Sequence, residues 1–395
     1  MKQKKIVSCL VVLAMLSMCF VACAPASDNM SGEPVAATVG LAEVFTPQRS
    51  CVLETGDTFQ LDLPKDREVT VTSSNEKVAT VNESGLVTAA GKGMALITVS
   101  DGIDSVFCGV LVDAQGSLID ITKLSAKEIF TDLELHSITE IIGMAVDTEN
   151  QTVYFAQCPT TSSFVPLNPD VLISKVEQKE ESWELTNWMR FSGSGNGSIC
   201  MDNDGKTPRL WMECNGDYIG YGKAITLVDW EDDGYGLDSY GQVFKPQGIS
   251  GGMTVTADVE NNMVLVYDRT EKCYRIYDRA AMLAGEEAPQ YVHSFACKAN
   301  QTPVAGEDDS QGRYNASVRG YALYDGYLYQ FSGSSSIYLS VFDLEGNLQY
   351  CHRLENKPDT DYYMPASISV VDGKIYVVIT SGNSEYNLAN LLVFE

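Results

Sequence analysis

The chain has 395 residues, of which 53 are acidic and 27 are basic, so its formal net charge is −26. This charge excludes a nucleic-acid-binding protein or one that adheres to an anionic membrane surface, since both need a basic face. The apolar content of 45% excludes a disordered chain, and the length predicts two or three domains. Twenty Tyr and 32 Gly with few long helical stretches favour an all-β protein.

The N-terminus predicts an export signal. Three lysines within the first five residues precede an apolar run over residues 6–21, which is shorter than the ~20 residues that a membrane-spanning helix needs. The small residue Ala22 before Cys23 resembles the bacterial lipoprotein signal, although Phe20 replaces the usual Leu. The resemblance implies removal of residues 1–22 and lipidation of Cys23, which would anchor the protein at the extracellular face of the cell membrane. Cys19 as the lipidated residue, an uncleaved anchor and a plain secretory signal are the alternatives.

Two segments of different character follow the signal. Residues 23–46 are small and polar, which is typical of a flexible tether. Residues 47–115 contain short alternating apolar runs broken by Gly, Asn or Asp, a pattern that predicts a β-sandwich. Residues 73–99, SSNEKVATVNESGLVTAAGKGMALITV, resemble the bacterial Ig-like group 2 family. The resemblance implies a spacer without catalytic residues, and a ligand-binding module is the alternative.

A repeat runs through residues 117–395. Five apolar runs each reach a turn aspartate and continue into an aromatic-rich run, and the five aspartates are Asp147, Asp202, Asp258, Asp325 and Asp372. Spacings of 55, 56, 67 and 47 residues, each containing a hairpin, are typical of propeller blades. A second apolar run in each unit begins at Val171, Ala224, Tyr274, Tyr338 or Leu391, which gives three or four strands per blade.

The predicted fold class is therefore an Ig-like β-sandwich followed by a five-bladed β-propeller over residues 117–395. Residues 118–142 supply the strand that completes the last blade, and a short helix over 123–133 is the alternative for part of that segment. An array of β-sandwiches is the alternative to the propeller as a whole.

Residues 125–395 resemble a group of propellers that includes helveticin-J-type bacteriocins, teichoic-acid-biosynthesis-protein-C-like proteins and receptor-binding propellers of phage tail fibres. The resemblance rests on three segments, GMAVDTENQTVYFAQ, MRFSGSGNGSICMDNDGKTPRLWMEC and GYGKAITLV. It implies contact with a cell-wall or host glycopolymer. Members often carry Gly-His-Gly where this chain has Gly195-Asn196-Gly197, so a role that depends on that histidine is not carried over.

Two loops are candidates for ligand contact. Gly193, Gly195, Asn196 and Gly197 form a glycine-rich segment in which a sugar can approach the backbone, although a bulged strand entry explains the glycines as well. The spacing is not that of a dinucleotide-binding loop, because the third glycine comes too early. The second is the acidic segment 229–238. Its acidic side chains suit a Ca²⁺ site, and a solvated acidic loop is the alternative; the residues are Asp229, Glu231, Asp232, Asp233 and Asp238. No other cofactor is predicted.

Aromatic residues in loops are candidates for stacking on sugar rings. Trp230 and Tyr235, within the acidic segment, are predicted ligand contacts, with packing as the equal alternative. Trp211 lies inside an apolar run and is predicted to be a core residue. The remaining candidates are Trp183, Trp188, Tyr240, Tyr314, Tyr362 and Tyr363.

Histidine and cysteine give no catalytic or metal-binding pattern. His136, His293 and His352 are far apart in sequence and are predicted to be structural or surface residues. No CxxC occurs, which disfavours zinc and thioredoxin-type chemistry. Eight cysteines follow Cys23, and either they pair, as Cys51 with Cys108 at the two ends of the Ig-like module, or they remain free thiols.

Together these patterns predict a surface lipoprotein whose propeller binds a cell-wall or host glycopolymer without catalysis. A hydrolase or lyase acting on a polysaccharide is one alternative, since two acids at a suitable distance would suffice. A bacteriocin-like antagonist is the other.

Overall fold

The part of the chain that the computed structural model describes is almost entirely β-structure, in seven sheets. It comprises residues 40–41, 50–135, 139–159, 171–191, 198–202, 207–216, 222–230, 242–249, 251–285, 289–298, 302–303, 305–306, 318–334, 336–354, 363–381 and 388–395. The predicted signal and lipidation site at Cys23 lie outside these residues. Within them, no helix is long and apolar enough to cross a membrane.

The first two sheets form a small sandwich. Its strands are β1 (Ser50–Leu53), β2 (Thr58–Gln60), β3 (Thr70–Ser73), β4 (Ala79–Val81), β5 (Leu86–Ala89), β6 (Gly93–Ser100) and β7 (Ser105–Val112). The sheet orders are β1-β7-β6-β3 and β2-β5-β4, and Val87, Ile97 and Val110 pack in the core between them. The turn before β5 has Gly85 at φ +82°, a conformation that glycine adopts without strain.

Five further sheets follow. Sheets I and II consist of β9 (Thr139–Asp147), β10 (Thr152–Pro159), β11 (Val171–Lys179) and β12 (Ser182–Phe191), and of β13 (Ile199–Met201), β14 (Arg209–Gly216), β15 (Gly222–Asp229) and β16 (Gln242–Phe244). Sheet III consists of β17 (Met253–Asp258), β18 (Met263–Asp268), β19 (Cys273–Asp278) and β20 (Tyr291–Phe295), with helix α1 (Arg279–Leu283) after β19.

Sheet IV consists of β22 (Val318–Tyr324), β23 (Tyr327–Gly333), β24 (Ile337–Phe342) and β25 (Leu348–Arg353), and the short β21 (Ala305–Gly306) pairs with β25 at its edge. Sheet V consists of β26 (Tyr363–Val371), β27 (Lys374–Ser381), β28 (Leu388–Phe394) and β8 (Ala126–Glu134). Each predicted second apolar run is the third strand of its sheet. The four consecutive strands of sheets I to IV are antiparallel neighbours, as expected for hairpin-connected chains.

The first strands of the five sheets contact one another in a cyclic order. Strand β9 contacts β13, β13 contacts β17, β17 contacts β22, β22 contacts β26, and β26 contacts β9. Sheet V is completed by β8 from the beginning of the repeat region, which pairs with the last strand from Ala126–Phe394 to Glu134–Leu388. The predicted completing strand is therefore present, and the alternative helix over 123–133 is wrong.

The five repeat aspartates lie at the turn after each first strand, and each supports that turn or links it to a neighbouring segment. Asp325 and Asp372 have φ values of 47° and 52° and precede glycines that also have positive φ, as a two-residue type I′ hairpin turn requires. Thr148 of sheet I donates a hydrogen bond to Asp372 of sheet V over 2.6 Å. Gly326 N–H of sheet IV donates to Asp258 of sheet III over 3.3 Å.

The sandwich packs directly on the outer strand of sheet III. Met94 and Leu111 belong to the same apolar cluster as Val292 and Phe295 of β20. At Gly109 a side chain cannot be accommodated, because a Cβ there would lie 1.4 Å from the carbonyl oxygen of Val292. Residues 40–395 accordingly group as one compact unit.

Five cysteines with described side chains have free thiols. They are Cys51, Cys108, Cys200, Cys273 and Cys297. Cys51 and Cys108 lie on adjacent strands, where both sulfurs contact the carbonyl oxygen of Gly109. The alternative of free thiols therefore describes these five residues.

Candidate functional site

A pocket of about 370 Å³ lies where the five first strands begin, and we call it the strand-start pocket. Every first strand contributes to it, at or immediately before its first residues. Its lining residues are Glu140, Ile141, Ile142, Ser198, Thr254, Tyr267, Arg269, Val318, Arg319, Tyr321, Pro365 and Ala366. Concave sites with an apolar wall and a few convergent polar groups are the usual form of small-molecule sites.

The hairpin register brings polar side chains to this end of the sheets. Met253, at the start of β17, pairs with Asp268, at the end of β18. Tyr267 and Arg269 therefore stand beside Thr254, although more than ten residues separate them in sequence. Ser198 accepts a hydrogen bond from Val255 N–H and donates one to its carbonyl, both at 3.0 Å, which joins sheets II and III at the wall of the pocket.

Two arginines and two glutamates define the charge of the site. Arg269 donates to the Thr254 hydroxyl over 3.1 Å and lies 3.5 Å from a carboxylate oxygen of Glu213, a residue of β14. Arg319 of β22 lies 3.8 Å from a carboxylate oxygen of Glu140 of β9. Both arginine side chains are partly exposed, at 37% and 36%.

Glu213 is a buried carboxyl group with an altered acidity. Burial raises the pKa of Glu213 to about 7, and the neighbouring Arg269 and the Met253 N–H, which donates over 3.4 Å, oppose that rise. A group with this pKa exchanges a proton near neutral pH, which is a property of general acids and bases as well as of some structural carboxyls.

Tyrosines form one side of the pocket. The rings of Tyr267 and Tyr321 are 5.2 Å apart at an angle of 37°, and Tyr274 packs behind both. Burial raises the pKa of Tyr321 above its ordinary value, so the phenol is neutral and can donate or accept a hydrogen bond. Gln330 donates to the Tyr274 hydroxyl over 2.7 Å, which fixes the back of this aromatic group.

Two other cavities lie elsewhere in the same region. One of about 320 Å³ lies beyond Tyr321, toward the turns that contain Asp258 and Asp372. Another, of about 450 Å³, lies between sheets I and V and is lined by Trp183 and Tyr376 among others; we call it the side groove. Trp183 packs against Phe130 there, with the ring centroids 5.7 Å apart.

Most of the residues predicted to contact a ligand fall outside the described part of the chain. This applies to Gly193, Gly195, Asn196 and Gly197 of the glycine-rich segment and to Tyr235, Glu231, Asp232, Asp233 and Asp238 of the acidic one. Ser198, the first described residue after the glycine-rich segment, lines the strand-start pocket.

The two described residues of the acidic segment behave differently from each other. Asp229 is exposed, whereas Trp230 is only 5% exposed and packs edge-on against Tyr154 at 4.9 Å, which is the packing alternative for this residue. Asp229 pairs with Arg209, and Arg209 lies beside the end of β13. Ser198, by contrast, lies just before the start of β13. The glycine-rich and acidic segments therefore connect to opposite ends of sheet II.

Trp211 is fully buried, as predicted, and donates from its indole N–H to Asp202 over 2.5 Å.

His293 is a buried residue whose two ring nitrogens both have hydrogen-bond partners. They lie 2.8 Å from the Ser50 hydroxyl and 2.7 Å from the Leu344 carbonyl. No cluster of metal-ligating side chains is present among the residues that the structure describes.

The sequence interpretation did not single out Arg269, Arg319, Glu213, Tyr267 or Tyr321. They come from three elements: Glu213 from β14, Tyr267 and Arg269 from the end of β18, and Arg319 and Tyr321 from β22. Only the cyclic order of the sheets brings these elements together. The one usable signal was positional: Arg319 and Tyr321 lie at the start of a first strand of the repeat.

The family model of the bacterial Ig-like domain (group 2) matches residues 51–108, which confirms the resemblance of the sandwich to that family. No curated protein matches the chain significantly.

Among solved structures, the chain is similar to RS223-Beta-xylosidase, at 12% identity and a TM-score of 0.40, covering 66% of this chain and 94% of that one. A GH43_1 enzyme from Xanthomonas citri matches at 11% identity and a TM-score of 0.38, covering 68% and 90%. The WD40 domain of coronin from Toxoplasma gondii matches at 10% identity and a TM-score of 0.33, covering 71% and 88%. Likenesses at this level carry no information about activity.

Proposed function

We propose that residues 117–395 form a five-bladed β-propeller that binds a cell-wall or host glycopolymer in the strand-start pocket. The observation that carries the proposal is the convergence of all five first strands on one pocket that offers tyrosine rings, hydroxyls and arginines. Aromatic rings contact the apolar C–H faces of sugars, and the polar groups bind their hydroxyls. The cyclic contacts of the first strands and the completion of sheet V by β8 support the propeller.

The proposal includes a location. A lipid on Cys23 would hold the protein at the extracellular face of the membrane, with residues 24–46 as tether. Because the sandwich shares an apolar cluster with β20, the Ig-like domain would act as a fixed base for the propeller, rather than as a flexible spacer. Metabolic labelling with a fatty-acid analogue tests this part, since Cys23→Ala should abolish labelling and release the protein from membranes.

The binding proposal is tested by retention on purified cell walls and by a glycan array, each with calcium and with chelator. Retention that depends on one class of polymer supports it. Loss of retention in chelator would assign a Ca²⁺ site, for which Asp229, Glu231, Asp232, Asp233 and Asp238 are the candidates. Absence of retention on every polymer would contradict it.

A hydrolase is the second candidate, and Glu213 is the observation that favours it. A carboxyl group with a pKa of about 7 beside the pocket, with Glu140 on another wall, provides one acid and one carboxylate. Incubation with polysaccharides followed by reducing-end analysis separates the two functions. A hydrolase releases product that Glu213→Gln abolishes, whereas a binder releases none.

A further inference from the structure

The strand-start pocket is a local concentration of cationic groups in a strongly acidic protein. The chain has a formal net charge of −26, yet two arginines from neighbouring sheets line this one pocket. Arg269 follows β18 of sheet III and Arg319 lies in β22 of sheet IV, so the register of two separate hairpins places both at the same opening. Such an arrangement favours a ligand of opposite charge, which the rest of the surface repels.

The described contacts of these arginines with Glu213 and Glu140 are longer than an ideal ion pair. Charge-assisted hydrogen bonds between a guanidinium and a carboxylate are about 2.7–2.9 Å long. Here Arg269 lies 3.5 Å from Glu213, and Arg319 lies 3.8 Å from Glu140. Pairs this long give little of the bidentate stabilisation that a well-placed oxyanion would provide, so an anionic ligand can compete for both guanidinium groups.

The acidic partners offset only part of the positive charge. Glu140 is 42% exposed and Arg319 is 36% exposed, so water screens the attraction between them. Glu213 is buried and its pKa is raised to about 7, which leaves it partly protonated near neutral pH. An oxyanion that displaces Glu213 from Arg269 would in turn favour the protonated form of Glu213.

The remaining walls suit a sugar ring. Tyr267 and Tyr321 present tilted aromatic surfaces, and Thr254 and Ser198 add hydroxyl groups. A volume of about 370 Å³ is near the lower end of the ~300–1,000 Å³ range of small-molecule pockets, so it accepts a short segment of a polymer.

We infer that the strand-start pocket recognises an acidic sugar unit, with Arg269 and Arg319 binding its oxyanion and the tyrosines stacking on its ring. The oxyanion is either the carboxylate of a uronic acid or the phosphate of a phosphodiester-linked sugar polymer, since the guanidinium fork matches both. This inference rests on the proposed binding function and adds the charge of the ligand to it.

The test measures binding of the whole protein to three immobilised polymers: polygalacturonate, a glycerol-phosphate polymer and neutral galactan. We expect retention on one or both acidic polymers, decreasing as salt rises, and none on galactan. Preference between the two acidic polymers distinguishes carboxylate from phosphate. Arg269→Gln and Arg319→Gln should each weaken binding about 10- to 100-fold, as expected for one lost charge-assisted contact.

Arg353→Gln is the matched control, because this exposed arginine at the end of β25 is absent from the pocket and its loss changes the net charge equally. Arg269→Lys keeps the charge but loses the fork, and should also weaken binding. Thermal melts establish that each variant is folded. Equal binding to galactan, or equal losses in Arg353→Gln and Arg319→Gln, would overturn the inference while leaving glycopolymer binding intact. Absence of binding to these polymers and to cell walls would overturn both.

Discussion

At the scale of single residues, the repeat aspartates support turns and join neighbouring segments. Asp202 is fully buried and accepts hydrogen bonds from Arg209 at 2.7 Å, from the Trp211 indole and from Arg279 of α1. Since α1 directly follows β19 of sheet III, the carboxylate of Asp202 joins sheets II and III. The aspartate that recurs in this internal repeat therefore marks a turn, and the strand-start pocket lies at the other end of the same strands.

We expect Asp202→Asn to destabilise the protein by about 3–5 kcal/mol, because two largely buried guanidinium groups lose their counter-charge. Chemical denaturation measures the loss. Asp120→Asn is the control: Asp120 pairs with the exposed Lys123 on the surface, so its replacement should have a much smaller effect. Equal midpoints for the two variants would contradict the assignment of Asp202.

At the scale of elements, hairpin chemistry made most of the strands predictable. Asp-Gly dipeptides between β-branched and aromatic runs specify two-residue turns, and both Asp325-Gly326 and Asp372-Gly373 adopt the expected positive φ values. Strand β7 was expected only as a terminal strand around Cys108, without bounds, because its last five residues are all buried and show no alternation. Its second buried face exists only because β20 packs against it.

The two Asp-Gly turns provide a matched pair for testing this account. Gly326 and Gly373 have nearly equal φ values of 74° and 70°. A Cβ at Gly326 would lie 1.9 Å from the Ala114 carbonyl oxygen, whereas at Gly373 the nearest atom is 4.0 Å away. Gly373→Ala should therefore cost only the strain of a left-handed residue, about 1–2 kcal/mol.

Gly326→Ala should cost that strain and, in addition, the displacement of the segment that connects β7 of the sandwich to β8 of sheet V, about 1–3 kcal/mol more. Urea denaturation of the two variants gives the difference directly. A Gly373→Ala variant as unstable as Gly326→Ala would show that the contact with Ala114 contributes nothing.

The pocket was harder to predict than the strands for a physical reason. Glu140, Glu213, Arg269 and Arg319 are separated by at least 50 residues, and no local pattern specifies which of them meet. Their proximity follows from the cyclic contacts of the first strands and from the register of each hairpin. By contrast, the glycine-rich and acidic segments stand out in composition, and they connect to opposite ends of sheet II.

At the scale of the whole molecule, the Ig-like sandwich shares one apolar cluster with sheets III and IV and makes a polar contact with β20. His293 of β20 accepts a hydrogen bond from the Ser50 hydroxyl at Nδ1 when Nε2–H donates to the Leu344 carbonyl. Burial lowers the pKa of His293 below its usual value, against the opposing effects of Leu344 and Glu345. Protonation of His293 therefore lowers the free energy of unfolding.

The pH dependence follows from that direction. The unfolded chain takes up a proton at His293 as pH falls below about 6.5, whereas the folded protein does so only at lower pH. Stability from neutral His293 is thus fully present above about pH 6.5 and is lost as pH falls toward the folded pKa. Glu213 acts in the opposite direction, because its pKa is raised. The protein with His293 and the His293→Gln variant are therefore best compared with Glu213→Gln present in both.

We expect His293→Gln to remove this component of the acid sensitivity between pH 7.5 and pH 5, measured by denaturation at each pH. His352→Gln, the same substitution at a half-buried position on β25, is the matched control. A wild-type slope that persists in His293→Gln would contradict the role given to the contact between sandwich and sheet III.

The most direct measurement of the central claim is retention on purified cell walls after the strand-start pocket has been filled. Val318 lines the pocket, so Val318→Trp should block it, while Gln178→Trp places the same ring in the side groove. With both variants folded by thermal melt, the account predicts that Val318→Trp abolishes retention and Gln178→Trp keeps it. Undiminished retention of Val318→Trp, or loss of retention only in Gln178→Trp, would contradict it.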